Sequence, residues 1–250
     1  MAPRNASPRG LHLLHTSVAD DGGGAVLAPP SAYVYQLPVR VWHWITALCI
    51  PILAVTGYLI GRPPPSLSGE ASGHFLFGDI RFLHFAAGQV LIVFFLLRVY
   101  WAFVGNRYSR QIFTVPVTDV AWWKGLWFEI RWYAFLERKP RVYLGHNPLA
   151  QVSMTMAFIL PLVFMMITGL ALYGQGEGER SWLNPISQTV FALTGGSMMT
   201  HTLHRLGMWM ILTFTIIHLY LVVREDIMGE QSIISSMVSG WRAFKTGGRN

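Results

Sequence analysis

H-R-L-G-M-W-M-I-L-T-F-T-I-I-H, residues 204–218, sets two histidines fourteen positions apart in the last strongly apolar segment of the chain. At ~1.5 Å rise per residue this separation spans ~21 Å of helix axis, and at ~100° per residue His204 and His218 return to within ~40° of one face. Two imidazoles at two depths of one bilayer are thereby aimed into a helical bundle, where ionisable side chains are costly and mark function. His43 and His84 each lie in the first turn of another apolar segment. Four imidazoles at paired depths match the need of two stacked haems with two histidine ligands each.

The chain has 250 residues, of which 52% are hydrophobic and 12% charged. Soluble domains carry about 25% charge, so this is the composition of a membrane protein. The net charge of +7 does not imply nucleic acid, because the basic residues fall between apolar segments, as in juxtamembrane loops. Cys49 is the single cysteine, which excludes an internal disulfide and a Cys-ligated iron–sulfur cluster within the chain. Residues 1–34 are rich in Ala, Gly, Pro and Ser and lack the ~7–15-residue apolar run of a signal peptide. They are expected to form a disordered cytoplasmic tail.

Four segments, at 41–61, 82–104, 149–173 and 205–223, reach the ~20 apolar residues needed to cross a ~30 Å hydrocarbon core. The expected fold is therefore an all-α membrane bundle over 35–228, followed by a cytoplasmic segment at 229–250. The connection between the second and third spans holds Arg107, Arg110, Lys124, Arg131, Arg138, Lys139 and Arg141, whereas the other two connections mix few charges of both signs. Positive residues stay inside, so this long loop and both termini are expected to be cytoplasmic. Within it, Trp122, Trp123, Trp127 and Trp132 among charged neighbours suit a helix near 120–136 lying in the headgroup plane. A fifth span there would break the charge orientation.

In this orientation His84 and His204 are outer, and His43 and His218 inner. Two strong axial ligands leave iron no open position, which favours electron transfer over oxygen chemistry. His201 shares the stripe of His218 to within ~20°, so periodicity alone does not separate it from His204. His74, His12 and His15 are expected to be solvated. Arg98, fourteen residues beyond His84, lies on that histidine's face one haem deeper. It either pairs with a propionate of the inner haem or snorkels to the inner interface. Arg81 and Arg205, next to the outer histidines, are similar candidates for the outer haem.

The runs P-V-R-V-W-H-W, S-G-E-A, I-R-F-L-H-F, W-A-F-V-G-N-R-Y-S-R, G-H-N-P-L-A-Q, H-R-L-G-M-W and R-E-D-I-M, in this order over 33–241, resemble the b-type cytochrome subunit of membrane-bound nickel–iron hydrogenases. That family is related to the gamma subunit of respiratory formate dehydrogenase. The resemblance implies a four-helix, two-haem-b anchor in the bacterial cytoplasmic (inner) membrane, itself non-catalytic. It would take electrons from the iron–sulfur small subunit, which is partnered by the nickel-bearing large subunit, and pass them to quinone. Carried over by residue, His84 and His204 would hold the outer haem, and His43 and His218 the inner one. The H-R-L-G-M-W match selects His204 over His201. In the formate dehydrogenase relative a cytoplasmic-side loop contributes to the quinone site; the matching run here, 145–151, makes Asn147, His146 and Gln151 quinone candidates. The competing role for Asn147 is to cap the third span, with Pro148 at its first position. Glu70, Ser72 and Glu177 are candidates for partner contact. The rivals are a formate dehydrogenase-type partner, a stand-alone cytochrome b561 with histidine pairs on two helices, and a colourless transporter or anchor.

Overall fold

A computed structural model describes residues 31–65, 73–229 and 232–243, together with the backbone of two short antiparallel strands, β1 (Ser17–Ala19) and β2 (Ala25–Leu27). His12, His15, Glu70 and Ser72 lie outside the described residues. The chain then runs through β3 (Ser31–Tyr33), α1 (Leu37–Gly61), α2 (Leu76–Val104), α3 (Arg107–Arg110) and α4 (Val120–Tyr133). A third long helix is made of α5 (Pro148–Ser153), a π-helical stretch (Met154–Ile159) and α6 (Leu160–Glu177). The remaining elements are α7 (Asn184–Thr194), α8 (Ser197–Met228), α9 (Ile233–Ser239) and β4 (Trp241–Ala243).

Among the described residues four helices, α1, α2, α5–α6 and α8, are long and apolar enough to cross a membrane, each with a mean hydropathy near 2 over its most apolar stretch. They contain the four spans expected from the sequence. Three of them start a turn or more earlier than the apolar runs do: α1 at Leu37, α2 at Leu76 and α8 at Ser197. His84 and His204 therefore stand about two turns inside their helices rather than in the first turn. The polar residues that precede each apolar run continue the helix, because backbone groups bond internally whatever the side chain. The connection before α8 also folds: α7 packs against both α6 and α8.

Only 17–33% of each span's apolar window is buried within the protein. Leu48, Val55, Phe103 and Ile216 are among the large side chains left on the outer surface, at 60%, 60%, 79% and 69% exposure. In water such a surface would be prohibitive, and in lipid it is the expected coat. Inside, α1 packs along α2 and α6 along α8. Their shared core is built from Trp42, Cys49, Leu91, Phe95, Leu162 and Ile211.

Both ends of the described chain meet at one end of the bundle. β3 pairs antiparallel with β4, and the backbone N–H groups of Val34 and Tyr35 donate to Gly240 O at 2.9 and 3.2 Å. The segment expected to be disordered, 1–34, is thus ordered in its last four residues. Val34 is fully buried in a small apolar cluster with Tyr35 and Val39, which the residue-by-residue composition of the tail does not reveal.

At this same end Gln36 caps the start of α1 and ties it to the end of α2. Its Oε1 accepts from Trp101 Nε1 at 3.0 Å, Asn106 N at 2.9 Å and Ser109 Oγ at 3.3 Å. The Trp-rich helix α4 is held by α8 in a different way. Arg224 donates to Trp132 O at 3.1 Å and to Glu225 Oε1 at 2.9 Å, and Trp132 Nε1 donates to the same carboxylate oxygen at 2.8 Å. The Arg224 guanidinium also lies 4.8–5.1 Å from the rings of Trp132, Tyr133 and Phe135. Phe135 reaches it from a left-handed backbone, φ 61°, which is unfavourable for an aromatic residue. Trp122 and Trp132 point inward, at 7% and 5% exposure, while Trp123 and Trp127 point out.

Replacing Gln36 with Ala leaves three donors without their common acceptor. A loss of about 1–3 kcal/mol is expected, measurable as a lower Tm in detergent, with the helical content of the folded protein unchanged.

Candidate functional site

The end of the bundle opposite the paired strands holds a cavity of about 1450 Å³ bounded by α1, α2, α6 and α8. This exceeds the ~300–1,000 Å³ typical of small-ligand pockets. His84 and His204 both line it, and so do Arg81 and Arg205. Each histidine is fixed by a threonine on the neighbouring helix. Thr56 Oγ1 lies 2.9 Å from His84 Nδ1 and donates its own proton to Ile52 O at 2.6 Å. Thr168 Oγ1 lies 2.8 Å from His204 Nδ1 and donates to Phe164 O at 2.8 Å. A hydroxyl that has given its proton to a carbonyl can only accept. Each imidazole therefore carries its proton on Nδ1 and keeps the Nε2 lone pair for a metal, the arrangement that orients ligating histidines.

A glycine follows each threonine and makes the approach feasible. A Cβ on Gly57 would come within 3.1 Å of His84 Cε1, and one on Gly169 within 3.3 Å of His204 Cε1. Thr-Gly on α1 serves the histidine of α2, and Thr-Gly on α6 serves that of α8. Arg205 lies over Gly61, where a Cβ would be 3.2 Å from its guanidinium carbon, and Arg81 lies 5.7 Å from the Phe85 ring. His201 is also at the rim, but it is exposed and its Nδ1 is 3.0 Å from Ser197 O on its own helix. Of the two histidines on that stripe, His204 is the one held by another span. His74 is exposed, as expected.

Nearer the other end, His43 and His218 are both half-buried. His218 stacks on Phe214 with centroids 5.6 Å apart and planes 15° from parallel, and Phe214 stacks in turn on Phe158. His43 Nδ1 is buried without a hydrogen-bond partner. Arg98 does not snorkel. It is 2% exposed, its Nη2 donates to Ser109 O, and its guanidinium lies 5.4 and 5.0 Å from the rings of Trp42 and Phe113. Its Nε and Nη1 are buried and unpartnered. A buried cation with two idle donors is costly unless an anion meets it. A haem propionate has the charge and the acceptor oxygens that these donors lack, so the residues present fit a haem at this depth as they do at the other.

The run 145–151 passes from the end of the loop after α4 into the first turn of α5, and hydrogen bonds hold it from several elements. Arg242 of β4 donates to Gly145 O at 2.7 Å. Gln111 Oε1 accepts from His146 N at 3.0 Å, and so closely that a Cβ on Gly145 would be 2.2 Å from it. Asn147 Oδ1 accepts from Ala150 N at 2.7 Å, so the capping role exists, and its Nδ2 donates to Glu129 Oε2 at 3.0 Å. Gln151 Oε1 accepts from Trp122 Nε1 at 2.6 Å. Burial, together with the positive charges of Arg242 and Arg98, pushes His146 down to about 3, so its ring is neutral at any working pH. Burial, and then the nearby Glu225 carboxylate, pushes Glu129 up to about 8. Sequence reasoning singled out neither Gln111, Glu129 nor the two threonines. The repeated Thr-Gly in two spans was the signal for the threonines, whereas nothing local marks Glu129 as buried.

Thr56→Val or Thr168→Val keeps the side-chain volume but strands an Nδ1–H in apolar surroundings. Haem affinity at the affected site is expected to fall by about 10–100-fold, measured as haem retained per chain on dilution in detergent. Any haem that remains should titrate at a higher midpoint potential, because its imidazole donates less electron density.

The family described as prokaryotic cytochrome b561 matches residues 34–240. The chain is also similar to proteins named "Probable Ni/Fe-hydrogenase B-type cytochrome subunit". With that of Rhizobium leguminosarum bv. viciae it is 56% identical over 235 residues, 94% of this chain and 98% of the relative. With that of Azotobacter vinelandii it is 54% identical over 225 residues, 90% of this chain and 94% of the relative. A similar Escherichia coli protein, named as the hydrogenase 1 subunit, is 52% identical over 220 residues, 87% of this chain and 93% of the relative. A match over four apolar helices and nearly the whole length leaves one assignment: the chain belongs to the prokaryotic cytochrome b561 family, as a multi-pass haem-b protein of the bacterial inner membrane grouped with the nickel–iron hydrogenase cytochrome subunits.

Proposed function

We propose that this chain is the electron conduit and membrane anchor of a nickel–iron hydrogenase, carrying electrons through two b haems to quinone. The observation that carries the proposal is the doubled Thr–His device around one cavity, with a second histidine pair beyond it, His218 about 20 Å further along α8 and His43 on α1. His84 and His204 hold the haem nearer the hydrogenase, and His43 and His218 the one nearer quinone. Bound haem supplies a one-electron couple at each depth.

The protein's own residues do the rest. Thr56 and Thr168 hold the Nδ1 protons so that Nε2 faces the cavity. Arg81 and Arg205 supply positive charge at the rim of the cavity, and Arg98 supplies it at the deeper site. The apolar walls exclude water, so that no ligand other than imidazole competes for the iron. The loop 145–151, with His146, Asn147 and Gln151, forms one side of the quinone site. Its place on the strongly basic side of the bundle makes it cytoplasmic by the positive-inside rule. The names of the relatives support a nickel–iron hydrogenase as partner, and in this reading its iron–sulfur small subunit docks at the His84/His204 end, with the large subunit beyond it.

Single substitutions separate the two haems in the intact hydrogenase complex. His204→Ala should stop hydrogen from reducing either haem and abolish hydrogen-dependent quinone reduction. His218→Ala should leave one haem reducible by hydrogen and still abolish quinone reduction. Hydrogen:quinone turnover that survives His204→Ala would overturn the proposed path.

A further inference from the structure

Glu129 is the one acidic side chain of α4. It is 2% exposed, and among the described residues no Lys or Arg lies within ion-pair distance of it. Its Oε2 accepts from Asn147 Nδ2, and its Oε1 is buried without a partner. The buried hydroxyl of Tyr143 faces the same carboxyl, outside normal hydrogen-bond geometry but near enough to favour its charged form. Gly125, one turn before Glu129, opens the space for both: a Cβ there would be 3.0 Å from Pro148 Cγ and 3.4 Å from Tyr143 Oη. The other acid in this region, Glu225, is in a different state, since it is paired with Arg224 and bonded by Trp132. An isolated buried carboxyl is stable as the neutral acid, and a neutral acid carries a proton that it can give. The outer face of α4 carries the exposed cations Lys124 and Arg131 beside Trp123 and Trp127, a mixture that suits the headgroup plane, where water reaches the cations.

From this geometry we infer that Glu129 is the proton-loading residue of the quinone site, delivering protons through the Asn147 end of the loop and refilling from the aqueous face of α4. The inference rests on the quinone being bound at loop 145–151. Quinone reduction takes two electrons, here from the b haems, and two protons. In each of two turns the Glu129 O–H bond breaks, an O–H bond forms at a quinone oxygen, and the carboxylate regains a proton from water. The products are one quinol and oxidised haems. The charged and titratable groups facing Glu129 are Glu225 and Arg224 of α8, Tyr133 of α4 itself, and Arg141 and Tyr143 of the loop after α4. Burial and Glu225 favour the neutral acid, whereas Arg141, Tyr143 and Arg224 oppose it. The acid form persists up to about pH 8 and is lost above it.

The experiment uses the whole hydrogenase complex. Its haems are reduced with hydrogen, a short-chain quinone is added, and haem reoxidation is followed from pH 6 to 9. In the wild type the rate should fall as pH passes about 8. Glu129→Gln should lower the rate at pH 7 by about 10-fold or more and flatten the pH dependence, with reduction of the haems by hydrogen unchanged. Glu129→Asp should retain the pH-dependent fall, which a purely structural role would not require. A Glu129→Gln profile that overlays the wild type overturns the inference. Photolabelling the wild-type complex with an azidoquinone keeps the two failures apart. A label on loop 145–151 with an unaltered Glu129→Gln profile removes only the proton role, whereas a label elsewhere removes the site on which the role rests.

Discussion

An imidazole has two nitrogens and can give only one to iron; inside a membrane the other must hand its proton to something that is not water. The structure meets this constraint with a threonine on the adjacent helix, whose hydroxyl satisfies its own i−4 carbonyl and turns its remaining lone pair to the histidine. Much of the bundle follows from it. The hydroxyl reaches the ring only if the two helices nearly touch, so each threonine is followed by a glycine, and α1 must pair with α2 and α6 with α8. Two such units facing each other leave the large cavity between them. The same device built twice gives the two halves of the bundle a common logic despite unlike sequences.

The other end of the bundle is governed by buried charge. Arg98, Arg224 and Arg242 are all at least 94% shielded from solvent, and each donates to a backbone carbonyl freed at a chain turn or helix end. Aromatic faces cover Arg98 and Arg224, which offsets part of the desolvation cost. The three arginines tie the segment after α2, the helix α4 and the run 145–151 to the bundle.

The long elements and the histidine stripe were legible in the sequence, because lipid demands ~20 apolar residues per span and a helix returns every 3.6 residues. The spacing of His204 and His218 placed both on one helix, and α8 carries them. What stayed hidden depends on contacts between distant parts of the chain. Val34 and Gly240 are far apart in sequence, and no local pattern announces that they bond. The helical extensions that carry α2 and α8 beyond their apolar runs were hidden because hydropathy reports the membrane and not the helix. Arg98 was ambiguous by sequence, since a face and a depth do not say whether a long side chain turns inward; its two unpartnered donors among Trp42 and Phe113 argue for the inward role. Glu129 was read as one more charge on an amphipathic helix, and only the packing of the loop over α4 reveals its burial.

The central claim is that four histidines on three helices hold two haems, each bound through two imidazoles. Haem iron counted per chain in the purified protein, together with its low-temperature reduced-minus-oxidised spectrum, tests this most directly. The account predicts two b haems per chain, both six-coordinate and distinguishable by potential. A single haem in protein purified from haem-replete cells, or a second with an open or non-histidine ligand, would contradict it.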